Sequence, residues 1–352
     1  MSDLRIQLRS RSALRSSISL LVVTGFLLGT SCAVPESAPA GADVDSEAAP
    51  LREDTPSLLG DEPSLVDSEA ALTGTPLRIT MVDVGQGDGL VVQLPSGKVL
   101  VVDGGPEGVS GNFAKFLTSA GITQVDTTIL SHAHSDHWAG LPIAIGRMPQ
   151  DCVARVLDPG YDRSDLVGYR AVRDAAGCRY HGVGAGLSLN LDPAVAIEVL
   201  SFAAAPFPKS DSAGVNNTSV VLRIRYGSFS MLFSGDAETD AERALLSSRI
   251  TDLKATVLKV GHHGSCNATG TTLLRKVAPK WAVISAATGN TFGHPHCQTI
   301  QKLKASGVSW MRTDKNGNIT ISTDGNSYSV TASKGKANVT SCPKDCAAPT
   351  DY

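Results

Sequence analysis

The chain reads as a layered α/β domain, with sheets inside and helices outside. Three observations predict this: β-branched runs of strand length recur from Leu77 onward, Gly, Asp and Pro punctuate them, and segments with helical spacing lie between them. LRITMVDV (77–84), GLVVQLP (89–95) and KVLVVDGG (98–105) are adjacent strands separated by turn residues. NFAKFLTSAG (112–121) follows, with apolar residues at helical spacing and a terminal Gly that ends the helix. DTTILS (126–131) is the next strand. IEVLSF (197–202), TSVVLRIRY (218–226) and SFSMLFSGD (228–236) make a second run of strands, then a helix from about Ala237 to Ser247, then the strand ATVLKVG (255–261). WAVISA (281–286) is a strand and CQTIQKLKASG (297–307) a helix; VSWMRTD (308–314), NITIST (318–323) and SYSVTA (327–332) complete the pattern. The two halves resemble each other in layout, without a short fixed repeat.

The segment before Leu77 has a different character. Arg5, Arg9, Arg11 and Arg15 precede an apolar stretch from Ile18 to Leu28, then Gly29, Thr30, Ser31 and Cys32. That is the layout of a secretory signal, too short in its apolar part to span a bilayer comfortably. Cys32 after small residues resembles a bacterial lipobox, although Leu28 lies one position early; residues 1–31 would be the signal and Cys32 the lipidated first residue. Residues 32–75 are rich in Ala, Pro, Ser, Glu and Asp, a composition that cannot offset ordering entropy, and read as a disordered tether from the membrane to a domain at 76–333. Residues 334–352 form a tail with a cysteine pair.

With 352 residues, 42% of them hydrophobic, and a net charge of -3, the chain has no general attraction to phosphate backbones, so local groups would have to hold any nucleic acid. Seven cysteines less Cys32 leave an even six, suited to an oxidising compartment. Order and local context pair Cys152 with Cys178, Cys266 with Cys297, and Cys342 with Cys346. A zinc ribbon lacks the C-x2-C spacing it would need.

SHAHSDHWAG (131–140) carries the chemistry. His132, His134, Asp136 and His137 crowd six positions at a strand end, in a chain with only eight histidines. Alternate residues of an extended segment point the same way, so His132 and His134 can hold one ion, while Asp136 and His137, beyond the turn, can serve a second.

This motif resembles the signature of the metallo-β-lactamase superfamily, which implies an αββα four-layer sandwich with a two-metal site at the edge of its sheets. VVDGG (101–105), FSGD ending at Asp236, and VGHHGS with His262 and His263 resemble the superfamily's later motifs. They imply that Asp103 supports the metal loop, that Asp236 bridges two divalent ions, and that one of His262 and His263 is a ligand. DVGQGD (83–88), NNTSVVL (216–222), LKVGHHGS (258–265), GHPH (293–296) and RTD (312–314) together resemble the ComEC-like hydrolase domain in its free-standing form. The resemblance covers residues 77 to 333 and leaves out the ComEC membrane channel, so DNA uptake through this chain alone is not expected.

Several residues admit two readings. Gly85 to Asp88 is a tight turn or part of the site. Asp236 is a bridging ligand or the cap of the following helix. One of His294 and His296 faces the site, or both are structural. Trp138 narrows the site or stacks on a base, or packs beneath the loop. Asn216 and Asn217 stand where many superfamily members place a third histidine, and an amide oxygen favours Mn2+ over Zn2+; His181, in the same interval, does not match the motif. Lys259, His262, His263 and Arg312 are plausible phosphate contacts. The resulting expectation is a metal-dependent phosphodiesterase or nuclease outside the cytoplasm, with Asp136, Asp236, His263 and His296 as catalytic groups and two Zn2+ or Mn2+ ions. The competing readings are a surface lipoprotein that binds without turnover, and a hydrolase of phosphocholine esters or lactones; the subfamily motifs disfavour a lactamase.

Overall fold

The structure is a computed structural model that describes residues 74–346, apart from 107–109, 161–165, 201–211, 249 and 251, together with a two-residue strand at 65–66. The expected signal segment, the lipidated Cys32 and most of the tether lie outside the described residues. The stretch read as a tether does contain β1 (Leu65–Val66), which pairs antiparallel with Val330 and Thr331 near the end of the chain.

β2 (Leu77–Met81), β3 (Leu90–Gln93), β4 (Val99–Val102), β5 (Thr127–Ile129), β6 (Arg155–Asp158) and β7 (Tyr180–Gly182) follow in the first sheet. The second sheet contains β8 (Ser188–Leu189), β9 (Val195–Val199), β10 (Leu222–Tyr226), β11 (Phe229–Phe233), β12 (Val257–Lys259), β13 (Trp281–Ile284) and β14 (Ser309–Arg312). The chain then returns to the first sheet with β15 (Ile319–Thr323) and β16 (Tyr328–Ala332), giving the order β1-β16-β15-β2-β3-β4-β5-β6-β7.

Alternation along the strands builds the layers. Leu100, Val102 and Ile129 face Val257, Met231 and Phe233 in the core between the sheets. Val101 and Val156 point outward onto Phe113 and Leu117 of α1 (Ser110–Ser119). On the other side, Leu232 and Leu258 meet helical residues such as Leu245 and Leu303. The result is the expected αββα sandwich.

The remaining helices are α2 (Ser135–Trp138), α3 (Leu141–Ile145), α4 (Val167–Ala176), α5 (Ser212–Asn216), α6 (Thr239–Ser247), α7 (Thr271–Val277), α8 (Cys297–Ala305) and α9 (Thr313–Asn316). β6, β7, β8, α4 and α7 were not expected from the sequence; the three strands span four residues or fewer. Thr218 to Val221, read as the start of a strand, instead cross between the sheets, where the Val220 N–H donates to the Ser131 carbonyl at 2.9 Å.

Strand direction places the site. β4, β5 and β6 run parallel, as do β11, β12 and β13, so each group presents its C-terminal ends along one edge. Asp103 and the histidine cluster follow β4 and β5; Asp236 and the two later histidines follow β11 and β12.

The disulfides differ from expectation in two of three cases. Cys152–Cys178 forms as expected. Cys266 bonds to Cys346 and Cys297 to Cys342, so the tail cysteines are joined to the domain and not to each other. The cause is tertiary: the tail folds back over α8, where the Lys344 carbonyl accepts the Cys297 N–H at 3.1 Å and Gln298 Oε1 accepts the Cys346 N–H at 2.9 Å.

Candidate metal centre

The early loop is organised around Asp103. Its Oδ1 accepts the Ser131 N–H at 2.7 Å, and its Oδ2 accepts the Ser131 hydroxyl at 2.7 Å. The same Oδ2 lies 2.7 Å from His137 Nδ1, which fixes that ring and leaves Nε2 facing inward. The Ser131 hydroxyl also lies 3.0 Å from His132 Nδ1, and His132 Nε2 meets His134 Nδ1 at 3.0 Å. Gly87, at φ +134°, lets the DVGQGD turn close on this loop; a Cβ there would overlap the Asp136 carbonyl.

The late loops complete the cluster. His262 and His263 both have left-handed backbones, at φ 44° and 54°, a costly conformation for residues that carry a Cβ. The His263 Nδ1–H donates to the Ser285 carbonyl at 3.0 Å, and its Nε2 lies 3.2 Å from Asp236 Oδ2 and 3.3 Å from Asp136 Oδ2. His137 Nε2 is 3.3 Å from the same Asp236 oxygen. Ligand atoms of Asp136, His137, Asp236 and His263 all fall within 4.8 Å of one another. Buried His137 Nε2, His263 Nε2 and Asp236 Oδ1 have no hydrogen-bond partner. Two imidazoles and two carboxylates whose ligand atoms face one another in this way fit a divalent cation of the zinc or manganese type.

A second half adjoins this group. His132 Nε2 lies 3.8 Å from Asp236 Oδ2, which makes that oxygen common to both halves, and the Asn216 side chain reaches His134. The two asparagines divide their tasks. Asn216 Nδ2 donates to Glu238 Oε1 at 2.6 Å, leaving its buried Oδ1 without a partner. Asn217 Oδ1 instead accepts the N–H groups of Glu238 and Ala241 at 3.1 Å each and so caps α6. Asp236 lies before that helix and among the histidines, so it is not the cap.

The two adjacent histidines also separate. His263 is buried in the four-residue group, whereas His262 is partly exposed and its Nδ1 pairs with Glu238 Oε1 at 3.0 Å. Glu238 was missed by sequence reasoning; its only signal was its place two residues after Asp236. His294 faces the centre, with its ring 5.2 Å from that of His262. His296, expected among the catalytic groups, belongs to the disulfide loop: its Nδ1 accepts the Cys266 N–H at 3.1 Å, and its ring lies edge-on to His294. His181 is exposed on β7.

Neither Lys259 nor Arg312 is open to a phosphate. Lys259 is fully buried, with Nζ 2.5 Å from Asp88 Oδ2, 2.8 Å from the Gly235 carbonyl and 3.6 Å from Asp236 Oδ1. Arg312 is buried against Asp314 at 2.7 Å and donates to the Ser341 carbonyl of the tail.

The charges explain one another. Burial opposes charge on His137, yet Asp236, Asp136 and Asp103 outweigh it and hold that imidazole well above the usual range. The same contest, won by Asp236 and Asp88, raises His263. Burial and then the neighbouring His137 push His132 well below the usual range. Carboxylates at the centre thus draw positive charge to the imidazoles of His137 and His263.

Trp138 packs beneath the loop and does not line the centre. Its indole occupies the space that a Cβ would need at Gly168 of α4. Gly168→Ala should therefore destabilise by roughly 1–3 kcal/mol through overpacking, where an open helix position would gain up to about 1 kcal/mol. Chemical denaturation of Gly168→Ala with and without Trp138→Leu checks this, because relieving the clash should restore the ordinary sign.

Glu242 fixes the loop behind the late histidines. Its oxygens accept the Thr269 and Gly270 N–H groups, while the Thr269 hydroxyl accepts the Gly261 N–H at 2.8 Å. Burial pushes its carboxyl up to about 7 from 4.5. The folded chain then binds a proton that the unfolded chain releases, so stability from this group is complete below pH 4.5 and is lost as pH rises through about 7. The loss is ~3 kcal/mol, and Glu242→Gln should flatten the melting-temperature profile across that window.

A two-sheet sandwich with this cluster at the C-terminal edges of its parallel strands defines a metal-dependent hydrolase. The chain belongs to the metallo-beta-lactamase superfamily, whose sequence profile matches residues 82–288. It is similar to ComE operon protein 3 of Bacillus subtilis, 32% identical over 258 residues that make up 68% of this chain and 32% of that protein. It is also similar to Competence protein ComA of Neisseria gonorrhoeae, 27% identical over 239 residues, 68% of this chain and 31% of that one. The match spans about a third of the length of these relatives. Among solved structures it resembles the metallo-beta-lactamase fold protein YhfI of Bacillus subtilis, with a TM-score of 0.46 and 14% identity over 70% of this chain and 99% of that one.

Proposed function

We propose that this chain is an exported phosphodiesterase that cleaves nucleic acid with two divalent ions. The observation that carries the reading is the convergence of Asp136, His137, Asp236 and His263 on one point, with His137 Nε2, His263 Nε2 and Asp236 Oδ1 buried there without a hydrogen-bond partner. These four residues would hold one ion; His132, His134, the shared Asp236 oxygen and Asn216 Oδ1 would hold the other. The amide oxygen in that second set favours Mn2+ over Zn2+. When bound, such ions supply Lewis acidity to a phosphoryl group and bring the pKa of water near neutrality. His262, oriented by Glu238 through Nδ1, presents Nε2 toward the cluster, where it would hold a proton for the departing oxygen. The names of two relatives, Competence protein ComA and Recombination protein 2, favour nucleic acid as the substrate.

Export is supported by the basic and apolar start of the chain and by the pairing of all six cysteines after Cys32. Cys32 would carry the lipid anchor. No helix among the described residues is long and apolar enough to cross a membrane.

The test is hydrolysis of bis-p-nitrophenyl phosphate and of labelled single-stranded DNA by the full chain, stripped of metal and then supplied with Mn2+ or Zn2+. Turnover of both substrates, faster with Mn2+, is expected. Two bound ions without turnover would remove the phosphodiester reading and direct the search to lactones and phosphocholine esters. One bound ion without turnover of any ester would favour a binding module.

A further inference from the structure

A single exposed apolar side chain ordinarily needs no explanation. Phe292 is distinguished by where it stands. The residue is 60% exposed and its ring stacks on His294, with centroids 5.7 Å apart and planes 23° apart. His294 is buried and lies 5.2 Å from the His262 ring and 6.3 Å from the His263 ring. Aromatic rings therefore run from solvent to the metal centre, and the outermost offers a bare face.

The support beneath Phe292 is well held. Asn290 Oδ1 accepts the His294 N–H at 2.9 Å, while its Nδ2 donates to the His294 carbonyl at 2.6 Å and to the Ala287 carbonyl at 2.9 Å. Meanwhile Trp138 packs, partly buried, against α4, and Lys259 and Arg312 are buried in ion pairs, so neither of these two cations is open to bind substrate.

We infer that Phe292 is a stacking platform for a nucleobase adjoining the scissile phosphodiester, an inference that rests on the phosphodiesterase reading. Stacking on an aromatic face tolerates any base, and it needs no basic surface, which suits a chain of net charge -3. Phe292 would thus set affinity for base-bearing strands without taking part in bond cleavage.

The experiment compares cleavage of a thymidine oligomer with that of an equal-length oligomer of tetrahydrofuran abasic units, using the metal-loaded full chain, Phe292→Ala and Phe292→Trp. The wild type should show a KM about tenfold lower for the thymidine oligomer. Phe292→Ala should raise that KM to the abasic value with kcat unchanged, and Phe292→Trp should restore it. An unchanged preference in Phe292→Ala would overturn the stacking role while leaving the phosphodiesterase reading intact. Equal loss of kcat on both oligomers would also overturn it, since Phe292 would then be acting on the centre through His294. Cleavage of neither oligomer by the wild type would overturn the phosphodiesterase reading and this inference with it.

Discussion

Asp236→Ala should lose both metal and turnover. The Oδ2 atom of this side chain lies within 3.9 Å of nitrogens from His132, His137, His262 and His263, and its other oxygen faces Lys259. Among the described residues, no other aspartate reaches both halves of the centre: Asp136 approaches His137 and His263, while Asp88 and Asp103 lie on the outer, Nδ1 side of the rings. Removing a partner behind a ligand typically costs 10–100-fold in metal affinity; removing the shared oxygen should cost more than about a hundredfold. A second readout separates this from misfolding. In the metal-free variant the His137 and His263 imidazoles should titrate at lower pH than in the wild type, because Asp236 is the chief carboxylate opposing their burial. Calorimetric metal titration and histidine NMR check the two parts; wild-type affinity in the variant would exclude the shared role.

Lys259→Met should cause the largest loss of stability. Asp88 and Lys259 are both fully buried, in the inter-sheet region beneath the centre. Beyond this ion pair, Asp88 faces only the Nδ1 atoms of His263 and His137, at 3.5 and 4.0 Å, among the described residues. Truncating one member of such a pair strands the other charge and costs about 3–5 kcal/mol. For a domain of this size, that corresponds to a melting temperature lower by roughly 10 °C. The double variant Asp88→Asn with Lys259→Met should recover much of the loss, since the stranded carboxylate is then neutral. A single variant within about 0.5 kcal/mol of wild type, the range of ordinary surface substitutions, would show that the pair holds nothing together.

What was legible in the sequence was what the local chain dictates. β-branched runs such as LVVQ and VLVV declared their strands, because alternate side chains must be buried on a two-sided sheet. HisAlaHisSerAspHis declared a metal loop, because its spacing alone brings lone pairs together at a strand end. The helices at 110–119, 239–247 and 297–305 appeared within a few residues of their expected ends.

The tertiary structure decided everything that depends on which distant segments meet. It set apart Asn216 from Asn217, His263 from His262 and His294 from His296 in what each side chain faces, pairs whose members are alike in type and lie within two residues of each other. A one- or two-residue step along a turning loop reverses the direction of a side chain, and the direction is set by partners such as Ser285, Glu238 and Asn290, not by the neighbours in sequence. Disulfide pairing followed the path of the tail over α8, not cysteine order. Lys259 looked like a surface cation until its burial opposite Asp88, 171 positions away in a chain of 352 residues, made it part of the support for the centre. The residue types and their order thus determined the fold class and the kind of chemistry; which side chains converge and how their charges are compensated came from packing, because electrostatics depend on distance in space.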